Sequence, residues 1–396
     1  MSAFQKSFLS CKLPPKSAMA TGRGNLSGKS KGMRGRADYS ADTWKKYFSE
    51  KKDVEVDGNT FRVYKKGDSG PCLVLIHGGG FSALTWSLLT TTLYDMVECQ
   101  VLALDLRSHG DTFTKDDTDL SIETLTNDVV SVINEVVSEG TPLILVGHSL
   151  GGSVAVHVGH HPGIHSIVGL IVIDVVEGTA LGALSSMQSI LRGRPQYFNS
   201  IEDAIKWSVQ SGQVKNLESA KVSMPGQIKN IQTGKPATVE LEEGDSDGVN
   251  HQEKQTLEPV GRSVPVTSVE SISEEEETQF KSPDEVKGSY GWRIDLRATE
   301  IHWSGWFQGL SKQFLSCPAQ KLLLLASLDR MDTDLTVAQM QGKFEIHAFE
   351  QSRGRCGHTV HEDIPDAVAE VIATYLVRNK FCTQKANFQE GSMPCC

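Results

Sequence analysis

Seven short apolar runs alternate along the chain with stretches of helical periodicity, and this alternation limits the possible folds more than any other feature. Several runs, such as "CLVLI" and "LILV", contain no polar residue. Strands that are apolar on both faces are typical of parallel sheets covered by helices on both sides. The pattern therefore predicts an α/β fold with a mostly parallel, doubly wound sheet. The runs are "TFRVYKKG", "CLVLIHGGG", "QVLALDLRSHG", "PLILVGHS", "GLIVIDVVEG", "KLLLLASLD" and "FEIHAFE", and helical patterns lie at residues 123–137, 150–160 and 366–380.

Two stretches between "GLIVIDVVEG" and "KLLLLASLD" interrupt this alternation. Residues 179–222 have helical patterns, with Ser200 as a predicted N-cap, and we expect them to form a helical cap. Residues from about 225 to 288 are rich in Gly, Pro, Ser and Glu and have little periodicity, which predicts a disordered acidic insertion. The expected domain runs from 39 to 381, between a disordered basic tail at 1–38 and a flexible tail at 382–396.

The net charge of −10 is concentrated in the predicted insertion. Between residues 239 and 285 there are 14 acidic and three basic residues, so the rest of the chain is close to neutral. A near-neutral domain with one acidic segment gives no indication of nucleic-acid binding. The eight cysteines form no CxxC pair, so neither a metal site nor a disulfide framework is predicted.

The first 37 residues contain no acidic side chain and are rich in Ser, Gly, Lys and Arg. They lack the apolar core of a secretory signal, and no apolar run approaches the roughly 18 residues that span a bilayer. We interpret this segment as a disordered basic tail, with an organellar transit peptide as the alternative hypothesis. Its basic cluster at residues 29–36 has the composition of a weak nuclear-import signal. We therefore expect the protein in the cytoplasm and nucleus, with no membrane partner.

The segment Gly147-x-Ser149-x-Gly151 is the strongest candidate for a reactive centre. Alone the motif is weak, because a chain with 36 glycines matches it easily by chance. Here it follows the apolar run "LILV" and precedes a helical pattern, which is the context of a strand-to-helix turn that exposes a nucleophile. We therefore predict that Ser149 is a nucleophile.

A glycine-rich turn after "LVLI" is the second element of the same pattern. Such a turn supplies one backbone N–H of an oxyanion hole, and the residue after the nucleophile supplies another. The candidate donors are Gly79, Gly80 and Leu150. Each well-aimed donor contributes about 2.7–4 kcal/mol to stabilising the transition state.

The general base is expected after the last apolar run. His358 lies in "CGH" between "FEIHAFE" and the helical pattern that begins near Pro365, and it is favoured over the neighbouring His361. Three further histidines follow the predicted nucleophile helix without a carboxylate pattern, and we interpret them as surface residues rather than a metal site: His160, His161 and His165.

Three aspartates compete for the acid that orients the base. Asp329 and Asp332 follow the strand that usually delivers it, whereas Asp174 follows the preceding strand. Any of them could stabilise a positive imidazole. The pattern by itself slightly favours Asp329.

Long segments of the chain resemble the protein phosphatase methylesterase family, over about residues 39–381. The resemblance implies an α/β-hydrolase fold and a serine esterase that demethylates the C-terminal leucine of the type 2A protein phosphatase catalytic subunit, without a metal or organic cofactor. It assigns the nucleophile to Ser149, the base to His358 and the acid to Asp174, and leaves Asp329 a structural role. The segments include "HGGGFSALTW", "GHSLGG", "IDVVEGTALGALSSMQSILRGRP", "WSVQSGQVKNLESAKVSM", "KLLLLASLDRMD" and "CGHTVHED".

The same resemblance points to two partner-binding segments. Arg192 and Arg194 end the cap stretch "LSSMQSILRGRP", where they could meet an acidic partner. In the acidic insertion, Val269-x-x-Ile272-x-Glu274 is similar to the Leu-x-x-Ile-x-Glu motif that binds regulatory subunits of the same phosphatase.

One departure from the family pattern lies beside the base, where residues 352–355 intervene before "CGH". A displacement of the base by about 1 Å can lower a rate roughly 100-fold. Two alternatives to the phosphatase-specific esterase remain. The extra residues favour a non-catalytic protein that binds and sequesters the phosphatase, and the second alternative is a broad esterase of small substrates.

Overall fold

A computed structural model describes residues 37–247, 288–352, 354–386 and 388. The described residues form one eight-stranded sheet with the strand order β1-β2-β4-β3-β5-β6-β10-β11 and a separate three-stranded sheet with the order β7-β9-β8. The strands are, in chain order, β1 (Glu50–Val56), β2 (Asn59–Lys66), β3 (Cys72–Ile76), β4 (Gln100–Leu104), β5 (Leu143–His148), β6 (Ile167–Ile173), β7 (Tyr197–Phe198), β8 (Ile228–Asn230), β9 (Tyr290–Trp292), β10 (Gln320–Leu325) and β11 (Glu345–Ala348).

The helices of the described residues lie on both faces of the large sheet and in the cap. They are, in chain order, α1 (Ser87–Met96), α2 (Ile122–Val136), α3 (Leu150–Val158), α4 (Glu177–Arg192), α5 (Ile201–Ser211), α6 (Leu217–Ser223), α7 (Ala237–Asp247), α8 (Glu300–Phe307), α9 (Leu310–Ser316), α10 (Thr333–Met340), α11 (Val360–Asp363) and α12 (Pro365–Arg378). None of these helices is both long and apolar enough to cross a bilayer.

All seven predicted apolar runs form strands of the large sheet. Six of its strands are parallel to one another, and they are β4, β3, β5, β6, β10 and β11 in their order across the sheet. The prediction of a mostly parallel, doubly wound sheet is confirmed. The two antiparallel pairings in this sheet are those of β2, which pairs with β4 on one side and with the edge strand β1 on the other. The sequence pattern missed β1, because "EKKDVEV" buries only Val54, as an edge strand with one solvated face does.

The continuous apolar character of the central strands has a direct packing reason. Successive side chains of a strand point to opposite faces of the sheet. Leu145 of β5 packs in a core with Val129 of α2, whereas Val146 packs in a second core with Leu93 of α1 and Ile372 of α12. Both faces are covered, so polar residues have no place along these strands.

The cap comprises residues 177–247 and 288–299, between β6 and α8, and part of it has its own small core. Residues from α5, α6, β8 and α7 surround this core, and Ala204, Met224 and Ile228 are fully buried within it. As predicted, Ser200 caps α5, and its hydroxyl accepts a hydrogen bond of 3.2 Å from the N–H of Asp203.

The predicted start of the disordered insertion at residue 225 is wrong. Residues up to 247 form a buried turn, β8 and α7. Gly226 is needed for close approach, because an added Cβ would lie 2.2 Å from Oγ of Ser82. The acidic side chains are also partnered, as Glu242 accepts hydrogen bonds from Trp44 Nε1 and Lys51. Residues 248–287, the rest of the predicted insertion, lie outside the described residues.

The predicted flexible tail from residue 382 also begins too early. The N–H of Glu98 donates to the carbonyl of Thr383 at 2.9 Å, and that of Lys385 to the carbonyl of Met96 at 2.8 Å. Phe388 is buried in the core beneath α1 and α12. Backbone pairing with the end of α1 therefore extends the packed domain past its predicted limit. Residues 1–36 and 389–396, the other predicted tail segments, lie outside the described residues.

A buried ion-pair network ties the sheet to the cap. Arg62 of β2 contacts Asp111 at 2.6 Å and Asp53 at 2.6 Å. The hydroxyl of Thr238, at the start of α7, donates to the other oxygen of the Asp111 carboxylate. Asp111 is 2% exposed, so its charge depends on Arg62 for compensation.

We expect Arg62→Met to lower the free energy of unfolding by roughly 3–5 kcal/mol, because it leaves a buried carboxylate unpaired. Urea denaturation monitored by circular dichroism measures this change. Lys65→Met is the matched control on the same strand. Its partner Glu50 lies 3.4 Å away with a half-exposed side chain, so a loss below about 1 kcal/mol is expected. Equal losses in the two variants would contradict a special role for the buried pair.

Candidate active site

Ser149 stands alone between the end of β5 and the start of α3, in a turn that glycines make possible. Its backbone has φ 53° and ψ −121°, a conformation that L-residues rarely adopt. A Cβ added at Gly147 would lie 2.1 Å from the carbonyl oxygen of Gly151, and one at Gly151 would lie 2.1 Å from that of Ile76. The motif thus places a serine at a sharp turn where no larger neighbour fits.

The structure brings Ser149, His358 and Asp174 into one hydrogen-bonded chain. Nε2 of His358 lies 3.0 Å from Oγ of Ser149, and Nδ1 lies 2.8 Å from Oδ2 of Asp174. The Asp174 side chain is fully buried, and its Oδ1 accepts a hydrogen bond of 3.0 Å from the N–H of Ala326. This arrangement can move a proton from the serine hydroxyl to an imidazole whose positive charge the carboxylate stabilises.

The other aspartates considered from the sequence have different surroundings. Asp329 is exposed, and no contact of the described residues joins it to His358. Asp332 caps α10 by accepting the N–H of Leu335 at 2.9 Å, and it also accepts the hydroxyl of Ser311 at 2.6 Å. The slight preference of the sequence pattern for Asp329 therefore does not match the geometry.

The assignment of Gly80 as an oxyanion donor needs correction. Its N–H donates to Nε2 of His109 at 2.9 Å, while Nδ1 of His109 donates to the carbonyl of Arg107 at 2.7 Å. Burial lowers the pKa of His109 to about 4, so the ring is neutral and its Nε2 remains an acceptor. An N–H that is already engaged in this way does not serve a substrate oxygen.

Gly79 and Leu150 remain as the candidate oxyanion donors. Leu150 is the first residue of α3, so its N–H has no acceptor within the helix. The two residues are neighbours, because a Cβ at Gly79 would lie 3.6 Å from the Leu150 side chain.

Two buried histidines that sequence reasoning did not assign hold the glycine turn in place. Nδ1 of His77 donates to the carbonyl of Gly78 at 2.7 Å, and its Nε2 accepts the N–H of Leu106 at 3.0 Å. Burial lowers the pKa of His77 well below its ordinary value. With His109 it joins the turn after β3 to the loop after β4. The only sequence signal was the presence of a His-Gly pair after each strand.

His361, the competitor for the base, occupies a different place. It is fully buried, its Nε2 lies 3.0 Å from the hydroxyl of Thr85, and its ring packs on Trp86 with centroids 4.2 Å apart. The preference for His358 over His361 agrees with this placement.

Among the extra residues beside the predicted base, the described ones, 352, 354 and 355, lie in a hydrogen-bonded turn. The carbonyl of Ser352 accepts the N–H groups of Arg355 at 2.7 Å and Cys356 at 3.2 Å. His358 stays within hydrogen-bonding distance of Ser149, so the displacement expected from the longer loop is not seen.

Two of the five predicted partner-binding residues, Arg192 and Arg194, lie at or just after the end of α4. Arg192 is exposed at the end of α4, and the guanidinium of Arg194 lies 5.0 Å from the ring centroid of Trp292. Three others lie outside the described residues: Val269, Ile272 and Glu274. Within the described part of the chain, no cluster of three or more His, Cys, Asp or Glu side chains has the geometry of a metal site.

A buried carboxyl group lies in α11, the helix that directly follows His358. Glu362 is fully buried, and neither carboxylate oxygen has a hydrogen-bonding partner among the described residues. Burial raises the pKa of Glu362 to about 8, although the nearby hydroxyls of Thr85 and Ser223 oppose this shift. The native protein therefore holds a proton here that the unfolded chain releases at neutral pH.

Comparisons with known proteins agree with the α/β-hydrolase fold and with an esterase family. Residues 73–229 match the model of the alpha/beta hydrolase family. The chain is 45% identical to protein phosphatase methylesterase 1 of Homo sapiens over 98% of both chains. It is 39% identical to the probable protein phosphatase methylesterase 1 of Caenorhabditis elegans, over 86% of this chain and 79% of that one.

Among solved structures, the chain is similar in fold to a hydrolase of E-2-(acetamidomethylene)succinate. The TM-score is 0.56 at 15% identity, over 83% of this chain and 99% of that one. An esterase of Mycobacterium tuberculosis gives a TM-score of 0.52 at 18% identity, over 83% of this chain and 92% of that one. These similarities concern the fold alone.

The pKa of Glu362 predicts that stability depends on pH. Because the native pKa of about 8 exceeds the ordinary 4.5, the stabilisation is complete below about pH 4.5 and is lost as the pH rises through 8. The free energy of unfolding of the wild type, relative to Glu362→Gln, should fall across this interval. Urea titrations over the interval measure it, with the exposed Glu370→Gln as control. Parallel pH trends for wild type and Glu362→Gln would contradict the prediction.

Proposed function

The chain belongs to the protein phosphatase methylesterase 1 family of serine esterases with the α/β-hydrolase fold, and from this we propose that it removes the methyl ester from the C-terminal leucine of the type 2A protein phosphatase catalytic subunit. The observation that carries the mechanism is the pair of hydrogen bonds, 3.0 Å and 2.8 Å, that joins Ser149 through His358 to Asp174. It supports acyl transfer by an activated serine.

In the proposed first step, His358 takes the proton of the Ser149 hydroxyl, and the alkoxide oxygen attacks the carbonyl carbon of the leucine methyl ester. Asp174 holds the imidazole and stabilises its positive charge. The N–H groups of Gly79 and Leu150 stabilise the developing oxyanion.

Collapse of the tetrahedral intermediate breaks the bond to the methoxy group. His358 returns its proton to this leaving group, and methanol departs from a leucyl ester of Ser149. His358 then activates a water molecule that hydrolyses the acyl-enzyme and frees the carboxylate. Every proton transfer is assigned to a residue of this chain.

Methanol is a minimal leaving group, so specificity has to come from the leucine tail and the protein that carries it. We propose that the exposed end of α4 contributes to this recognition. Arg192 is its best placed cation, because Arg194 already packs on Trp292. The distance of 3.0 Å between His358 and Ser149 favours catalysis over the alternative of a non-catalytic binding protein.

We also infer that the acidic segment binds regulatory subunits of the phosphatase through Val269-x-x-Ile272-x-Glu274, by its similarity to their Leu-x-x-Ile-x-Glu ligands. The basic cluster at residues 29–36 supports action in the nucleus as well as the cytoplasm.

The first test is methanol release from methylated phosphatase. Ser149→Ala should lower the rate by several orders of magnitude, because the nucleophile is removed. Ser138→Ala, at an exposed loop serine, is the control and should retain full activity. The same assay with a free short-chain methyl ester distinguishes the broad-esterase alternative, which requires equal rates on both substrates. Unchanged release by Ser149→Ala would refute the proposed function.

The second test concerns the acidic segment. Ile272→Ala with Val269→Ala should weaken capture of a regulatory subunit at least about 10-fold, since each removes a buried apolar contact with the partner. Hydrolysis of a small ester should not change. Val264→Ala with Val266→Ala, in the same segment but outside the motif, is the matched control. Equal capture by both double variants would show that the motif is not used.

A further inference from the structure

The loop that carries His358 is attached to the cap by a buried carboxylate. Asp363, at the end of α11, is 8% exposed. Its Oδ2 accepts the N–H of Gly357, the residue before His358, at 2.6 Å. Its Oδ1 accepts the N–H of Lys215, in the segment between α5 and α6, at 2.7 Å. One side chain thus joins the base-bearing loop to the cap.

The side chain of Lys215 makes a second attachment to the same loop. Its ammonium donates to the carbonyl of Gly354 at 3.2 Å and to that of Cys356 at 3.0 Å. A third attachment follows His358, where the hydroxyl of Thr359 donates to the carbonyl of Gln213 at 3.0 Å. Cap residues therefore hold the loop on both sides of the base.

The Lys215 ammonium fixes the longer loop that precedes His358. Gly354 is one of the extra residues 352–355, and its carbonyl accepts a hydrogen bond from the ammonium. A longer loop has more conformations available, and contacts that fix it reduce this freedom. The body of the hydrolase domain contributes its own anchor, since Nε2 of His148 lies 2.9 Å from the carbonyl of His358.

We propose that Lys215 and Asp363 are positioning residues, through which the cap segment 213–216 keeps His358 within hydrogen-bonding distance of Ser149. The proposal rests on the proposed role of His358 as general base. Neither residue contacts the reacting atoms, so their effect is on the placement of the imidazole. A misplacement of about 1 Å costs roughly 100-fold in rate.

The ionisation of Asp363 is compatible with this role. Burial raises its pKa to about 6, while its hydrogen bonds with the N–H groups of Lys215 and Gly357 and the charge of Lys215 oppose the shift. At neutral pH the carboxylate is therefore ionised, and both of its oxygens accept hydrogen bonds. Asn at this position keeps the size but turns one acceptor into a donor.

The test compares Lys215→Met, Lys215→Arg and Asp363→Asn in the full chain. The readouts are kcat and KM for p-nitrophenyl acetate and the rate at which a fluorophosphonate labels Ser149. Lys215→Met should lower kcat and the labelling rate about 10-fold with KM unchanged, and Asp363→Asn up to about 100-fold. Lys215→Arg keeps a donor for the two carbonyls and should restore most of the rate.

Two substitutions at exposed positions are matched controls. Lys206→Met removes a lysine from the exposed face of α5, and Asp366→Asn removes an aspartate from the first turn of α12. Both should retain wild-type kcat. Thermal unfolding of every variant separates loss of fold from loss of placement.

The proposal is overturned if Lys215→Met and Asp363→Asn keep wild-type kcat and labelling rates. It is also overturned if they lower only the melting temperature, because a purely structural role moves stability and not kcat. Neither probe contains phosphatase. A wild-type protein that labels rapidly but releases no methanol from methylated phosphatase would refute the proposed substrate and leave the positioning proposal standing.

Discussion

The close approach of α3 to the end of β3 is the constraint on which the site depends. A Cβ at Gly151 would lie 2.1 Å from the carbonyl oxygen of Ile76 at the end of β3, and a Cβ at Gly147 would lie 2.1 Å from that of Gly151. This contact holds Ser149 at φ 53°, a strained conformation that the central strands of the sheet over-determine. Both faces of those strands are covered, so the turn has little freedom to relax. Ser149 therefore sits half-buried on a closely packed turn.

Sequence patterns predicted most of the sheet and the strand-to-helix turn that carries Ser149, because both depend on local signals. Continuous apolar runs indicate strands that are buried on both faces, and a serine between glycines after such a run indicates a sharp turn. The pattern could not decide between Asp174 and Asp329 as the predicted acid, since both follow strands. In the folded protein Asp174 is buried and hydrogen-bonded to His358, whereas Asp329 is exposed. The role of Gly80 depended on His109, which lies 29 residues away and contacts it only in the folded chain.

Errors in the boundaries have a related origin. Composition predicted disorder from residue 225. In the structure, however, the Glu242 carboxylate accepts hydrogen bonds from Trp44 and Lys51, nearly two hundred residues earlier in the chain. Thr383 and Lys385 pair with the end of α1 in the same long-range way. A segment that lacks periodicity can still be ordered when its polar groups are satisfied by distant partners. Neutral buried histidines show the same principle at the site, where His77 and His109 act as fixed links between two loops.

The hydrogen bond between His358 and Asp174 joins residues 184 positions apart, and that with Ser149 joins residues 209 apart. Loop-closure entropy rises only logarithmically with length, and each doubling costs about 0.6 kcal/mol. Lengthening the cap between these residues is therefore nearly neutral for equilibrium stability. A longer cap is instead expected to lower the folding rate, because contacts between residues distant in sequence form slowly. During synthesis Ser149 emerges 209 residues before His358, so the hydrogen bond between them can form only after the whole cap has been made.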